Sequence, residues 1–66
     1  MNLTVNGEKR DFPEPILACE LLDSLGISSD RVVVQLNLKV LRREKLTTTS
    51  LKEGDVIEII HFVGGG

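Results

Sequence analysis

A single cysteine, Cys19, constrains this chain most, because it excludes an internal disulfide from a sequence of only 66 residues. The sequence also lacks a cluster of cysteines and histidines with the spacing of a structural metal site. A domain of this size is close to the lower limit for folding without such cross-links. Since 41% of the residues are hydrophobic and only 3% are aromatic, we expect a core of packed Val, Ile and Leu side chains.

The charge and composition argue against several classes of function. A formal net charge of -2 and a pI near 5.2 are unlike the basic footprint of a protein that binds nucleic acid. No stretch approaches the roughly 18 consecutive apolar residues of a membrane span. A lone thiol and the lack of an apolar leader favour the cytoplasm. With one His and one Cys, no nucleophile and base form a recognisable set, so we expect neither an enzyme nor a bound metal or cofactor.

The first part of the chain has the pattern of a β-hairpin. Residues 1–5 alternate between apolar and polar side chains, which is typical of a half-buried strand. Asn6-Gly7 follows, and this dipeptide is the strongest short signal for a two-residue hairpin turn. We expect residues 8–12 to form the returning strand, which Pro13 ends.

An apolar stripe at helical spacing comes next. The repeat predicts a helix of about three turns, with Pro15 in its first turn and Gly26 in the left-handed position after its end. The stripe comprises Leu17, Ala18, Leu21, Leu22 and Leu25.

The pattern of residues 31–63 predicts three strands. Residues 31–36 predict a strand that buries Val32, Val34 and Leu36 and turns Val33 and Gln35 outward. We expect a tight reversal at Asn37 into a short strand at 39–41, followed by an irregular polar segment at 42–50. A turn at 52–55, which Asp55 stabilises, then leads into a strand of strong β-formers at 56–63.

This order predicts an α+β fold of the β-grasp, or ubiquitin-like, type. We expect a mixed sheet of four to five strands with one main helix packed on one face. The last strand would lie in the centre of the sheet, parallel to the first. The expected organisation is one domain at residues 1–63 followed by a flexible glycine tail at 64–66.

The three glycines that follow the last predicted strand are the candidate site of chemistry. Glycine cannot pack and loses the most entropy on ordering, so nothing in folding requires Gly64, Gly65 and Gly66 here. Because they lack β-carbons, they suit a narrow channel in a partner enzyme, and they reach about 10 Å when extended. The alternative is that the three glycines are a frayed end without a function, since termini are often disordered. The direct junction of strand and glycines favours a functional tail.

These residues also carry a resemblance to a known family. Residues 53–66, which read EGDVIEIIHFVGGG, look like the C-terminus of the thiamine-biosynthesis sulfur carrier (ThiS) family. The helix run ACELLDSL at 18–25, the pair Leu36-Asn37 and the stretch VLRRE at 40–44 are similar to the corresponding family segments. The resemblance covers essentially the whole chain, and the tail is its specific part.

The resemblance implies a cycle of sulfur transfer centred on Gly66. An E1-like adenylyltransferase would adenylate the Gly66 carboxylate with ATP and Mg²⁺, and a cysteine desulfurase or another donor would supply sulfur. The resulting thiocarboxylate, with Gly64 and Gly65 beside it, would enter thiazole synthase for thiazole formation. The carrier itself would act as a co-substrate and bind no cofactor.

A docking surface for such partners is predicted beside the tail. With one helix on one face of the sheet, alternate side chains of the last strand would face solvent on the other face. Ile60 and Phe62, joined by Val33 from the neighbouring strand, would form an exposed apolar patch suited to binding partners. The alternative is that Phe62 folds over the sheet edge and closes the core.

For three other features we weigh a structural role against a functional one. His61 lies close to the tail but is expected to be a partly exposed strand residue rather than a proton shuttle. Cys19 is expected to be a small helix residue beside the core. Lys39, Arg42, Arg43 and Lys45 form a basic cluster that would either meet an acidic partner surface or remain a solvated loop.

Three alternative functions stay open. The small subunit of molybdopterin synthase shares the expected fold and tail chemistry, although His61-Phe62-Val63 lacks the Pro-rich residues that usually precede its glycines. A ubiquitin-like modifier would form isopeptide bonds with lysines. A plain interaction domain would have an inert tail.

Overall fold

The computed structural model describes residues 1–62. They form a five-stranded sheet, one main helix and one short helix. The elements, in chain order, are β1 (Asn2–Val5), β2 (Glu8–Asp11), α1 (Ala18–Ser24), a 3-10 turn (Ser29–Arg31), β3 (Val32–Leu36), β4 (Lys39–Leu41), α2 (Arg43–Leu46) and β5 (Val56–His61).

The sheet is mixed, with the strand order β2-β1-β5-β3-β4. The central strand β5 runs parallel to β1 and antiparallel to β3, while both hairpins are antiparallel. This topology confirms the predicted β-grasp arrangement, including the position and direction of the last strand.

Both hairpins turn through two residues in the left-handed region. Asn6 and Gly7 have φ values of 50° and 84°, and Asn37 and Leu38 have values of 51° and 72°. Positive φ at both central residues is the requirement of a type I′ turn, whose twist matches that of the flanking strands. The predicted reversals are therefore confirmed, although the second turn has Leu where Gly is the usual residue.

Helix α1 is shorter than predicted and begins later. It has seven residues, about two turns, and Pro15 lies before it, so the placement of Pro15 in the first turn was wrong. Residues 16–18 instead pair with the distant segment 49–51. The Ala18 N–H donates to the Thr49 carbonyl, and the Leu51 N–H donates to the Ile16 carbonyl, each at 2.9 Å. These bonds hold the backbone extended up to Leu17.

The two ends of α1 are closed by local hydrogen bonds. At the start, the Leu17 N–H donates to the Glu20 carboxylate at 2.8 Å, so a side chain from the first turn pairs with the N–H of the residue that precedes the helix. At the other end, Gly26 has a φ of 70°, and the Ile27 N–H reaches back to the Leu22 carbonyl at 2.9 Å. This is the Schellman arrangement, and it confirms the predicted role of Gly26.

Helix α2 was not predicted, because residues 42–50 read as irregular and polar. Its one apolar side chain, Leu46, is only 4% exposed and belongs to the core. A single apolar residue among polar neighbours shows no period that sequence reasoning can detect.

The core lies between α1 and one face of the sheet. Ala18, Leu21 and Leu22 from the helix pack with the inward side chains of β1, β3 and β5, and residues from the connecting segments close the rim. The other members of this core are Leu3, Val5, Phe12, Ile16, Val32, Val34, Leu46, Leu51, Ile57 and Ile59. All core side chains are apolar, as expected from the composition.

Candidate functional site

The glycine segment follows the central strand β5 in the sequence. The strand ends at His61, and Phe62 continues the pairing by donating its N–H to the Arg31 carbonyl at 3.4 Å. The proposed carrier residue Gly66 and its neighbours Gly64 and Gly65 lie outside the described residues. The predicted boundary between domain and tail, after Val63, also lies outside them and stays a prediction.

Three apolar side chains at this end of β5 are exposed, as the alternation predicted. Val33 and Ile60 are direct partners across β3 and β5, and Phe62 follows Ile60 by two residues. Their exposed fractions are 37%, 47% and 52%. Phe62 therefore does not close the core, and the alternative reading of that side chain was wrong.

The exposure of this patch follows from the single layer of helix. α1 covers the face of the sheet that carries Ile57 and Ile59, which are almost fully buried. The opposite face has no second layer among residues 1–62. We call Val33, Ile60 and Phe62 the open-face patch. Apolar side chains grouped in this way are typical of a surface that binds another protein.

Two asparagine side chains form hydrogen bonds with the backbone of β5, the strand that carries Ile60. Asn6 Oδ1 accepts a hydrogen bond from the Ile59 N–H at 2.7 Å, and Asn37 Oδ1 accepts one from the Val56 N–H at 2.9 Å. Sequence reasoning identified both asparagines only as turn residues. Each of these bonds spans the gap between distant segments, so no local pattern could have revealed it.

Asp55 stabilises the turn before β5, as predicted. Its carboxylate accepts from the Lys52 N–H at 2.8 Å and from the Asn37 side-chain amide at 3.0 Å. Both carboxylate oxygens therefore accept hydrogen bonds within the fold. These bonds explain the presence of Asp55 in the turn without a catalytic role.

His61 lies on the last strand and Cys19 on the helix beside the core, as we expected for residues with structural roles. His61 is an exposed residue at the end of β5. Cys19 is half-buried on α1 and packs against the core. Neither belongs to a set of side chains arranged for nucleophilic catalysis in the part of the chain that the structure describes.

The described residues also offer no metal centre and no membrane span. Within residues 1–62, no group of three or more His, Cys, Asp or Glu side chains is arranged to hold a metal ion. No helix in the same range is long and apolar enough to cross a bilayer.

Comparison with known proteins gives the chain a family. The sequence model of the ThiS family matches residues 3–66. The sulfur carrier protein ThiS of Bacillus subtilis is 40% identical over 47 residues, which are 71% of each chain. The crystal structure of a thiamine biosynthesis protein (ThiS) from Geobacter metallireducens superposes with a TM-score of 0.87 and 42% identity, over the full length of both chains.

A further relative has a different length. A thiazole synthase of Paramagnetospirillum magneticum is 36% identical over all 66 residues of the chain, which spans only 20% of that protein. A match of the family model along nearly the whole sequence, together with the same fold at 42% identity, leads to one conclusion: the chain belongs to the ThiS family.

Proposed function

We propose that this chain is a sulfur carrier for the thiazole part of thiamine and that its reacting group is the carboxylate of Gly66. The observation that supports this most strongly is the open-face patch in a ThiS-family fold. Val33, Ile60 and Phe62 give a partner enzyme an apolar surface to bind, at the end of the strand that leads to the glycines.

The chemistry would take place on the main chain rather than on a side chain. A carboxylate does not react with sulfur nucleophiles until its oxygen is converted into a leaving group. A partner adenylyltransferase would use ATP and Mg²⁺ to join the Gly66 carboxylate to AMP, releasing pyrophosphate. A sulfur nucleophile would then form a carbon–sulfur bond as the carbon–oxygen bond to AMP breaks.

The folded part would serve to present and position this end. Because Gly64 and Gly65 have no side chains, a narrow channel would admit them without steric conflict. Binding of the open-face patch would hold the carboxylate close to the reacting atoms, which removes much of the entropic barrier to the reaction.

Thiazole synthase is the proposed acceptor of the sulfur, and a cysteine desulfurase is the proposed physiological donor. Displacement of AMP by its persulfide would give an acyl disulfide, and a thiol would then reduce that disulfide, forming a new disulfide and releasing the thiocarboxylate. The similarity to proteins named thiazole synthase from two bacteria supports the first assignment. The family membership supports an activating partner of the adenylyltransferase class. The carrier itself would not be an enzyme and would hold neither the ATP nor the metal ion.

Intact-mass measurement tests the proposal. A protein consisting of residues 1–66 is incubated with the adenylyltransferase, ATP, Mg²⁺ and sodium sulfide, where hydrosulfide displaces AMP directly. We expect a mass gain equal to the difference between sulfur and oxygen, located by fragmentation at Gly66. A reaction without ATP is the control, and a partner that activates another carrier but leaves this mass unchanged would disprove the proposal.

A second measurement separates the thiamine pathway from the related molybdopterin pathway. The sulfur-loaded protein is offered to thiazole synthase and, separately, to the large subunit of molybdopterin synthase. Loss of sulfur to thiazole synthase alone is the expected result. The mass of the protein isolated from its source would show whether Gly66 ends the chain there as a carboxylate or a thiocarboxylate, as the proposal requires.

A further inference from the structure

Leu38 combines an unfavourable backbone conformation with an almost fully exposed apolar side chain. It has a φ of 72° and is 86% exposed. The left-handed region crowds the β-carbon of any residue other than glycine, and the first hairpin has Gly7 at the same place in its turn. Asn37 tolerates its own positive φ and uses its side chain to hold β5. Leu38 has no comparable role in the fold.

The surroundings of Leu38 are apolar at the centre and basic around it. Val40, on the same short hairpin, is 62% exposed. Residues 39–45 contain four of the chain's eight cationic side chains and only one of its ten acidic ones. This segment therefore has a net charge of +3 in a chain whose total is -2.

Part of this basic charge is not used within the fold. Arg43 lies 3.2 Å from the Asp30 carboxylate. Among residues 1–62, Lys39 and Arg42 form no ion pair within 4 Å. Exposed cations beside an exposed leucine are the complement of an apolar pocket with acidic residues at its rim.

We propose that Leu38, Lys39, Val40 and Arg42, which we call the hairpin surface, form a second docking site for a protein partner. Leu38 would enter an apolar pocket on that partner, and Lys39 and Arg42 would face carboxylates beside the pocket. The inference rests on the proposed function, because the partner is one of the two enzymes that receive the glycine tail.

The hairpin surface is continuous with the open face of the sheet. Val40 pairs with Gln35 across β3 and β4, and Gln35 pairs with Glu58 of β5. Val40 therefore lies on the same face as Val33 and Ile60. The turn bonds to β5 at Val56. Along the strand direction it therefore lies about 13 Å from Ile60 and about 20 Å from Phe62. An interface of ordinary size, about 800 Å² on each partner, covers both.

Other classes of partner fit the chain less well. A nucleic acid or an anionic membrane would be attracted to residues 39–45 but repelled by the excess of acidic residues elsewhere, since the whole chain is negative. A leucine on a two-residue turn between two paired strands suits a preformed pocket in a folded protein.

Two matched variants test the proposal. Leu38→Met keeps an apolar side chain and the same backbone strain, whereas Leu38→Asn removes the apolar group and accepts positive φ well. The dissociation constants of the 66-residue protein and its variants are measured for the adenylyltransferase and for thiazole synthase. We expect Leu38→Asn to weaken binding of at least one enzyme by about tenfold or more, and Leu38→Met to change it less than about threefold.

A charge-reversal variant, Lys39→Glu with Arg42→Glu, tests the acidic rim. It should weaken binding of the same enzyme, and the loss should shrink as salt rises, because salt screens exposed charges. Thermal unfolding of every variant confirms that the fold is intact.

The outcomes separate this inference from the proposed function. If the wild-type protein binds an enzyme and Leu38→Asn binds equally well, the hairpin surface is not a docking site and the carrier function stands. If the wild-type protein binds neither enzyme, both proposals fail. If Leu38→Asn impairs only binding to phosphatidylserine vesicles or to polyuridylate, the assignment to a protein partner is overturned.

Discussion

Asn6 precedes Ile59 by 53 residues, yet its side-chain oxygen accepts a hydrogen bond from the Ile59 N–H at 2.7 Å. Asn37 makes the equivalent bond to the Val56 N–H at 2.9 Å. The turn of each hairpin is thus tied to the central strand that lies between the two hairpins. The asparagines join the two halves of the sheet at the strand that presents the candidate site.

Asn37→Gly and Asn6→Gly test the contribution of these bonds. Glycine accepts positive φ, so the turns should persist while a backbone N–H of β5 loses its partner. Asn37→Gly also removes the hydrogen bond that the Asn37 amide donates to Asp55. We expect each variant to lower the free energy of unfolding by about 1–2 kcal/mol, measured by urea denaturation. Leu38→Gly, in the same turn as Asn37 but without the bond, is the control; equal stability of all three variants would contradict this account.

Leu38→Asn should make the isolated protein more stable. Relief of the strained conformation is worth about 1 kcal/mol, and the nearly fully exposed side chain contributes no burial that would be lost. Leu38→Ala keeps the crowded β-carbon and lacks the short polar side chain with which asparagine hydrogen-bonds locally, so it should show no such gain. A fall in the urea midpoint of Leu38→Asn would mean that Leu38 stabilises the fold, contrary to this expectation.

Leu46→Ala should be strongly destabilising even though its segment looks like a polar loop. The side chain is buried in the core, and truncating a buried leucine costs about 2–5 kcal/mol. The urea midpoint should fall steeply or folding should be lost. Lys45→Ala, its exposed neighbour in α2, should change stability by less than about 0.5 kcal/mol, and similar effects of the two changes would show that α2 does not pack as described.

Ile60→Ser and Phe62→Ser should weaken partner binding and leave the fold intact. Both side chains are about half exposed, so their removal should cost little stability. We expect each change to raise the dissociation constant for the adenylyltransferase by about tenfold, measured by titration calorimetry. Lys9→Ala, on the edge strand β2, is the matched control, and unchanged affinity of both serine variants would exclude the open-face patch as a docking surface.

Deletion of Gly65 and Gly66 should separate binding from chemistry. The shortened protein should gain no sulfur in the mass assay, yet it should unfold within about 4 °C of the intact protein, a difference of under 1 kcal/mol. A second variant with one alanine added after Gly66 moves the carboxylate onto a residue with a β-carbon. Sulfur uptake by the shortened protein would show that the reacting group lies elsewhere.

The parts of the fold that were predicted correctly rest on local chemistry. Asn6-Gly7 specifies its turn through the conformations that these two residues accept, and the alternation of residues 56–62 assigns Ile60 and Phe62 to the open face. Gly26 ends α1 for the same kind of reason. These features depend on a few neighbouring residues, so the sequence alone suffices.

The errors arose where distant segments act on each other. Residues 16 and 17 are held extended by hydrogen bonds between 16–18 and 49–51, so α1 begins only at Ala18, after Pro15. Leu46 enters the core from a segment whose other side chains are polar. The bonds from Asn6 and Asn37 to β5 likewise depend on pairing across the sheet, and no spacing along the chain encodes them.

The central position of β5 also determines how the domain responds to a pulling force on its C-terminal end. If an enzyme draws the glycine end into a channel, the pull acts along β5. Its hydrogen bonds to β1 on one side and β3 on the other are then stretched together in shear, not opened one after another. Such a geometry resists extraction, so tension on the end should move the whole domain toward the enzyme before it unravels the strand.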